Sequence, residues 1–427
     1  MKNKLTLSQI LVILWIYYPK YAKDVIYMIK QIVVQNVLSF RDKTSVDFQD
    51  VSVIFGRNSS GKTNLLSVIS FICDIASNKI AGDLDKLANS MEYRFKNGHD
   101  DILLALAFET CGYGYEIIFV LNHEKGLVSQ TLKSVKQMSK GVKKQILFST
   151  EKEEFPFLTK IERERLESYQ WNQASILAVL SKEFDLSHKV FNEHIKRAFS
   201  FITQNINFFQ SNSYNVSKAA KRVFNNQSLK QKIVDALKAL DIPLSDIKID
   251  KIMQPVNADN VNQENNQSVI EKELYIVNFE HKGKYIIRSF FESTGTLKLF
   301  VIFSVLLDEK NIGETWIFDE MENSLHEEIY KIFPLIVTEK MHGQVIFTSH
   351  NTGLLETNIL KKRQVIIVNK TIDESSEIYP LSDFSDLRSD SRNNWQRWYR
   401  QNRFGGYPEI DFEKVVKEID RKDNCDG

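Results

Sequence analysis

The sequence predicts an α/β fold: a mixed sheet covered by helices, an antiparallel β subdomain beside it, and a helical insertion that splits the core. Three observations lead there. Short apolar runs at Val51–Phe55, Thr315–Phe318, Gln344–Thr348 and Gln364–Asn369 alternate with stretches of helical period, the pattern of strands buried on both faces. Asp101–Glu109 and Tyr113–Asn122 flank Thr110-Cys111-Gly112 and read as an antiparallel pair. From about Lys125 to Asn266 the chain is polar, charged and mostly helical in period.

The chain has 427 residues with 43% hydrophobic content, enough for two or three packed units. A formal net charge of +1 points to no particular partner, so only local basic patches can do so. Cys73, Cys111 and Cys425 form neither a CxxC pair nor a metal-ligand spacing, and a cytoplasmic chain is the default for such usage.

Residues 1–27 form an N-terminal extension. Its apolar run Ile10–Tyr18 stops at Pro19 and is too short for a bilayer, which needs about 20 residues. Lys2 and Lys4 precede it, but no small-x-small cleavage site follows. Three readings compete: a start upstream of a natural one at Met28, an extra docking helix, or a membrane-surface or export signal.

Residues 28–125 form the first half of the core. Ile29, Val33 and Val37, then Val46, Phe48, Val51, Val53 and Phe55, mark strands, with Asp42-Lys43 where a turn is needed. A glycine loop follows, and a helix runs to about Ser77. Residues 126–268 are the helical insertion, with helices expected at Thr159–Lys182, Leu186–Gln204 and Ser228–Leu240, the last ended by Pro243. It lacks sustained heptads, so no long coiled coil is expected. Asn257–Ser268 is rich in Asn and Gln and reads as a mobile loop. Residues 269–380 are the second half. Leu274–His281 and Lys284–Phe291 make a hairpin around Lys282-Gly283, and helices at Thr296–Leu307 and Leu325–Thr338 separate the buried strands. Residues 381–427 are a tail, and no repeat of 20–50 residues occurs along the chain.

The loop Gly56-Arg57-Asn58-Ser59-Ser60-Gly61-Lys62-Thr63 matches G-x-x-x-x-G-K-[ST] between an apolar strand and the helix opening at Asn64. Gly56, Asn58, Ser59, Ser60, Gly61, Lys62, Thr63 and Asn64 are therefore candidate binding residues for a phosphorylated ligand. The glycines let backbone N–H groups cradle phosphate oxygens at a helix N-terminus, with Lys62 on the β- and γ-phosphates and Thr63 on Mg²⁺. Trp316-Ile317-Phe318-Asp319-Glu320 has the form of a Walker B strand: Asp319 is a candidate metal ligand and Glu320 a candidate general base. His350 ends the next buried strand and is a candidate to contact the γ-phosphate and the attacking water. Ser293-Thr294-Gly295 opens a helix and reads both as a second anion site and as an ordinary N-cap.

Phosphate loop, Ser-Thr-Gly turn, Asp-Glu pair, Glu322-Asn323-Ser324-Leu325-His326 and a strand-end histidine occur in that order. The chain resembles the ABC-class AAA ATPases of the RecF/SMC branch. Within it, the chain is similar to prokaryotic defence-associated ATPases of the abortive-infection and OLD-like kind, without Toprim, that work beside a nuclease. Met28–Asp85 and Phe291–Asn369 carry the resemblance. It implies a P-loop NTPase with an ABC-type head, ATP and Mg²⁺ as ligands, and a site formed between two heads. Lys62, Thr63, Asp319, Glu320 and His350 come from one subunit and Ser293–Gly295 from the other, while Glu322–Leu325 matches the D-loop that crosses the dimer interface. The expected assembly is a homodimer or a higher even-numbered oligomer. Thr294 stands where the family's first signature glycine would be. No acidic Toprim cluster follows the core, so any nuclease or toxin effector would be a separate polypeptide.

The tail interleaves Arg388, Arg392, Arg397, Arg400 and Arg403 with Trp395, Trp398, Tyr399, Phe404 and Tyr407. Packing on the core, docking of a protein partner, and binding of DNA or RNA all fit that mixture. Three function classes stay open: an ATP-hydrolysing switch that regulates an effector in antiviral defence, a DNA-repair or chromosome-maintenance ATPase, and the ATPase subunit of a transporter.

Overall fold

The computed structural model describes residues 27–80, 84, 101–122, 124–138, 141–209, 216–256, 270–308, 313–340, 343–355, 360–387, 394–408 and 411–422. The expectations for Ile10–Tyr18 and for the loop Asn257–Ser268 lie outside the described residues. β1 (Met28–Gln35) pairs antiparallel with β2 (Thr44–Asp47). The reversal between them is tighter and earlier than Asp42-Lys43. Val37 and Phe40 bridge, with Asn36 and Leu38 at φ 55° and 53°. β3 (Val51–Phe55) is buried along its whole length and leads to α1 (Lys62–Ala76). β4 (Ile102–Thr110) and β5 (Tyr113–Asn122) form the expected hairpin. Cys111 and Gly112 have φ 50° and 76°, the left-handed pair that a two-residue hairpin turn needs.

The segment 126–268 is not the helical unit expected from its polarity. β6 (Gly126–Met138) and β7 (Gly141–Ser149) extend the first sheet, in the order β2-β1-β4-β5-β6-β7. Their lysines serve cross-strand pairing: Lys133 and Lys144 both pair with Glu116 at 3.1 Å. The single helix expected over Thr159–Lys182 is two, α2 (Lys160–Glu167) and α3 (Ile176–Glu183). Buried Gln130 imposes the break. Its amide donates to Trp171 O and Ala174 O and accepts from Ile176 N. α4 (Lys189–Ser200) runs into a π-helical turn, Phe201–Asn205, that delivers β8 (Ile206–Phe209) into the core sheet. α5 (Val216–Phe224) and α6 (Gln227–Ala239) follow. β9 (Leu244–Val256), β10 (Ile270–His281) and β11 (Tyr285–Arg288) then make a small sheet ordered β11-β10-β9.

α7 (Thr294–Leu306), β12 (Thr315–Phe318), α8 (Glu327–Lys340), β13 (Gln344–Ser349) and β14 (Val365–Lys370) lie close to their expected positions, and β15 (Ser376–Pro380) is a further strand that the sequence reading did not include. The core sheet runs β15-β14-β3-β13-β12-β8, parallel from β14 to β8 and antiparallel at β15. Its residues alternate between two apolar layers, as a strand's period of two requires. Ile54, Ile317, Ile346 and Ile366 face α1, α3, α4 and the antiparallel sheet. Val53, Phe55, Phe318, Phe347 and Ile367 face α5 to α8. α9 (Trp395–Arg400) brings Trp395 and Tyr399 into the second layer and is followed by α10 (Phe412–Lys422). Among the described residues, no helix is long and apolar enough to cross a membrane.

One buried side chain joins the two large sheets. Gln344, with no exposed surface, accepts from Ile29 N at 2.8 Å and donates to Ile29 O at 2.8 Å and Gln49 O at 2.9 Å. Its carbonyl also accepts from Thr315 Oγ1 at 3.1 Å. Removing it strands buried backbone groups of β1, so Gln344→Leu is expected to lower unfolding free energy by about 2–4 kcal/mol in urea titrations. A wild-type midpoint and slope would show that the clasp contributes nothing.

Candidate functional site

The chain leaves β3 at Gly56 and turns into α1 at Gly61. Both glycines are required by space. A Cβ on Gly56 would lie 2.4 Å from Val368 O, and one on Gly61, at φ 109°, would lie 2.4 Å from Ser376 Oγ. α2, α3, α4, α6, α7 and α9 begin with a capping side chain, but α1 has none. Its first N–H groups are thus available to an anion, which is the fit a phosphate requires. Lys62 is buried, and its Nζ donates to Gly56 O and Arg57 O, each at 3.0 Å. Burial draws its pKa down to about 8 against the opposing pull of Asp319, Glu322 and Glu320. Asn58 and Ser59 are exposed at the loop's tip and Ser60 is buried. Asn64 braces the loop, donating to Ser39 Oγ at 2.8 Å. Ser376 Oγ completes that brace by donating to Ser60 O at 2.6 Å and lying 2.8 Å from Ser39 Oγ.

The acidic half of the site meets this loop directly. Thr63 Oγ1 donates to Asp319 Oδ2 at 2.9 Å, across 256 positions of sequence. Thr348 Oγ1 donates to Asp319 Oδ1 at 2.5 Å and accepts from Glu320 N at 2.7 Å. Glu320 has φ 49°, and its carboxylate accepts from Asn323 Nδ2 at 2.5 Å. His350 is tied by its backbone, which donates to Glu322 Oε1 at 2.5 Å. Burial, and then the Lys62 charge, lower the His350 pKa, so its imidazole is neutral at neutral pH. Among the described residues, no group of three or more His, Cys, Asp and Glu side chains is arranged around a metal. The Thr63–Asp319 pair instead offers two hard oxygen donors beside the loop. That suits Mg²⁺, which is commonly held by one or two carboxylates together with substrate phosphates.

Ser293, Thr294 and Gly295 lie elsewhere. Ser293 Oγ caps α7, accepting from Thr296 N at 3.1 Å. Gly295 presses on the turn after β12, where a Cβ would lie 2.5 Å from Ser324 O. Among the described residues no hydrogen bond joins these three to the phosphate loop. Sequence reasoning gave no role to Thr348, although a hydroxyl at the end of a buried strand beside the Asp-Glu strand was a readable signal. It also passed over Lys298, a lone cation in an apolar helix.

The tail packs beside the phosphate loop. Tyr399 stacks edge-on against Phe55 with ring centroids 6.0 Å apart. Tyr399 also donates to Gly406 O at 2.7 Å. A Cβ on Gly406, at φ 73°, would lie 3.1 Å from Val368 O and 3.5 Å from Gly56 Cα. Trp395, Tyr399 and Phe404 therefore realise the packing reading, while Arg397 and Arg400 stay exposed. Arg388 and Arg392 lie outside the described residues.

Residues 51–356 match the family model described as "AAA domain, putative AbiEii toxin, Type IV TA system", and the chain belongs to that family. No curated protein matches it. Among solved structures, the chain is similar to the SMC head domain from Thermotoga maritima, at 14% identity and a TM-score of 0.39 over 82% of this chain and 98% of that one. It is also similar to an Smc head bound to the C-terminal winged-helix domain of ScpA, at 15% identity and a TM-score of 0.44 over 82% and 97%. The Pyrococcus furiosus Smc head with an extended coiled coil, bound to the C-terminal domain of ScpA, gives 16% and 0.44 over 83% and 96%.

Thr348→Val keeps the side chain's shape but removes the hydroxyl shared by Asp319 and Glu320. Nucleotide turnover is expected to fall about 10- to 100-fold, as for loss of a group that orients a catalytic base, while nucleotide affinity stays within a few-fold. Thr348→Ser should restore turnover. Equal turnover in the Val and Ser variants would remove the assignment.

Proposed function

We propose that the chain is an ATP-binding and ATP-hydrolysing switch whose two sites form head to head between copies, and that it regulates a nuclease or toxin effector in antiviral defence. The Thr63–Asp319 hydrogen bond carries the reading, since it joins the phosphate loop to the acidic strand in one place. The Ser293–Gly295 turn stands on α7 apart from that loop, which supports its service to the nucleotide of a second copy. The family's description as a toxin of a type IV toxin–antitoxin system supports the defence setting.

In this mechanism the N–H groups at the start of α1 and the Lys62 ammonium hold the β- and γ-phosphates of ATP. Thr63 and Asp319 would hold Mg²⁺, which supplies neutralisation of charge on the phosphate oxygens. Glu320 accepts a proton from water as the water oxygen attacks the γ-phosphorus. The bond from that phosphorus to the β–γ bridging oxygen breaks, and the negative charge left on ADP is met by Lys62. His350, kept neutral, has one ring nitrogen to donate and one to accept, which suits holding the water against the γ-phosphate.

Lys62→Ala is expected to lose ATP binding in a fluorescent-nucleotide titration. Glu320→Gln should bind ATP normally yet turn over about 10²- to 10⁴-fold more slowly, the usual contribution of a general base. Wild-type turnover in both variants would remove the assignment of the site to Lys62 and Glu320.

The oligomeric half of the reading has its own test. With ATP, Glu320→Gln should shift from monomer to dimer or a higher even-numbered assembly in light scattering. A monomer at every nucleotide and protein concentration would end the composite-site reading and leave hydrolysis standing.

A further inference from the structure

α7 is the most apolar helix that approaches the site, and Lys298 lies within it between Leu297 and Leu299. The lysine is only 2% exposed. Its Nζ donates to Asn323 O at 3.1 Å and Glu320 O at 3.3 Å. These are carbonyls of the turn that leaves β12, and one belongs to the proposed base itself. That turn has an unfavourable backbone, with Glu320 at φ 49° and Ser324 at φ 65°, neither of them glycine. Such a conformation persists only where the surroundings impose it. α7 supplies that constraint at both ends. Lys298 gathers the carbonyls of residues 320 and 323, and Gly295 lies backbone to backbone against Ser324 O.

A cation in an apolar helix is costly unless its donors are satisfied. Here burial draws the Lys298 pKa down to about 8, while the Glu322 and Glu320 charges oppose that shift, so the ammonium stays charged at neutral pH. A simple core position would be filled better by leucine. The lysine instead places two donor bonds on the one turn that aims Glu320.

We propose that Lys298 is a positioning residue for Glu320, and that through it the Ser293–Gly295 turn of each chain is mechanically joined to the base of the same chain. The inference rests on the reading of Glu320 as general base and goes beyond it. A change at the Ser293 turn, such as contact with the nucleotide of a second copy, would then be transmitted to Glu320 along one turn of α7.

The test is a double-mutant cycle in single-turnover ATP hydrolysis by the full chain, with ATP affinity measured alongside. Lys298→Met is expected to lower the hydrolysis rate about 10- to 100-fold with ATP affinity within twofold of wild type. In a Glu320→Gln background the same substitution should change the residual rate by less than twofold, because its effect is already lost. A full multiplicative loss in that background, or no loss in either, overturns the inference. Should Lys298→Met fail to fold, the same cycle is run with Lys298→Arg. That variant keeps a cation but replaces the compact ammonium with a longer, planar fork that cannot take up the same geometry between the two carbonyls, and a wild-type rate in it overturns the inference equally. Failure of the base assignment shows itself separately, as wild-type hydrolysis by Glu320→Gln alone.

Discussion

The site depends on β13 lying between β3 and β12. Because all three run parallel, their C-terminal ends emerge on one edge, where open α/β sheets bind ligands. The register sets the levels: Phe55 pairs with Ser349 and Phe318 with Phe347, so β12 ends two residues earlier along β13 and Asp319 falls beside Thr348. Gly56, Asp319 and His350 therefore leave the sheet as neighbours, although nearly 300 positions separate the first from the last. Thr348, on the middle strand, can then touch both carboxylate residues of the next strand at once. Remove that strand order and the loop and the acids have no reason to meet.

Much of this was legible because buried parallel strands and a phosphate loop leave strong local marks. Thr315–Phe318 and Val51–Phe55 are apolar apart from Thr315 and Ser52, and their ends were readable from the sequence to the residue. The insertion was misread for an equally physical reason. In β6 and β7 burial does not alternate residue by residue: residues 129–132 are buried in succession and residues 141–145 are exposed in succession, so no period of two marks these strands and only their pairing with β5 and with each other defines them. β8 has four residues, Ile206–Phe209, and follows a π-helical turn. A strand that short gains its identity from pairing with β12, a tertiary fact that local pattern cannot supply. The helix break before Ser175 likewise depends on Gln130, more than forty residues upstream, whose amide binds the interrupted backbone.

Several polar side chains sit where apolar ones would pack as well, and each pins a backbone rather than filling space. Gln344 clasps β1 to the core sheet, Gln130 breaks a helix, Thr348 spaces two acids, and Lys298 holds the turn beyond them. A buried polar group with all its partners confers one arrangement at the risk of a large penalty if any partner is lost. Placing such groups around a site trades tolerance for geometry, and the proposed phosphoryl transfer would gain from that trade because catalysis of that kind is mostly positioning.

The two halves of the site are braced by different parts of the fold. The phosphate loop rests on Ser39 and Ser376 below and has Gly406 and Val368 behind it, so β15 and the tail both stiffen it. The Ser293–Gly295 turn is fixed instead to the 320–324 turn through Gly295 and Lys298. Glu320 belongs to both systems, since its amide hangs from Thr348 on the sheet side and its carbonyl from Lys298 on the helix side. A residue held at both ends by separate rigid units responds to any displacement between them by changing its own dihedrals. With φ already at 49°, Glu320 is the joint of this head at which relative movement of α7 and the core sheet would be felt first.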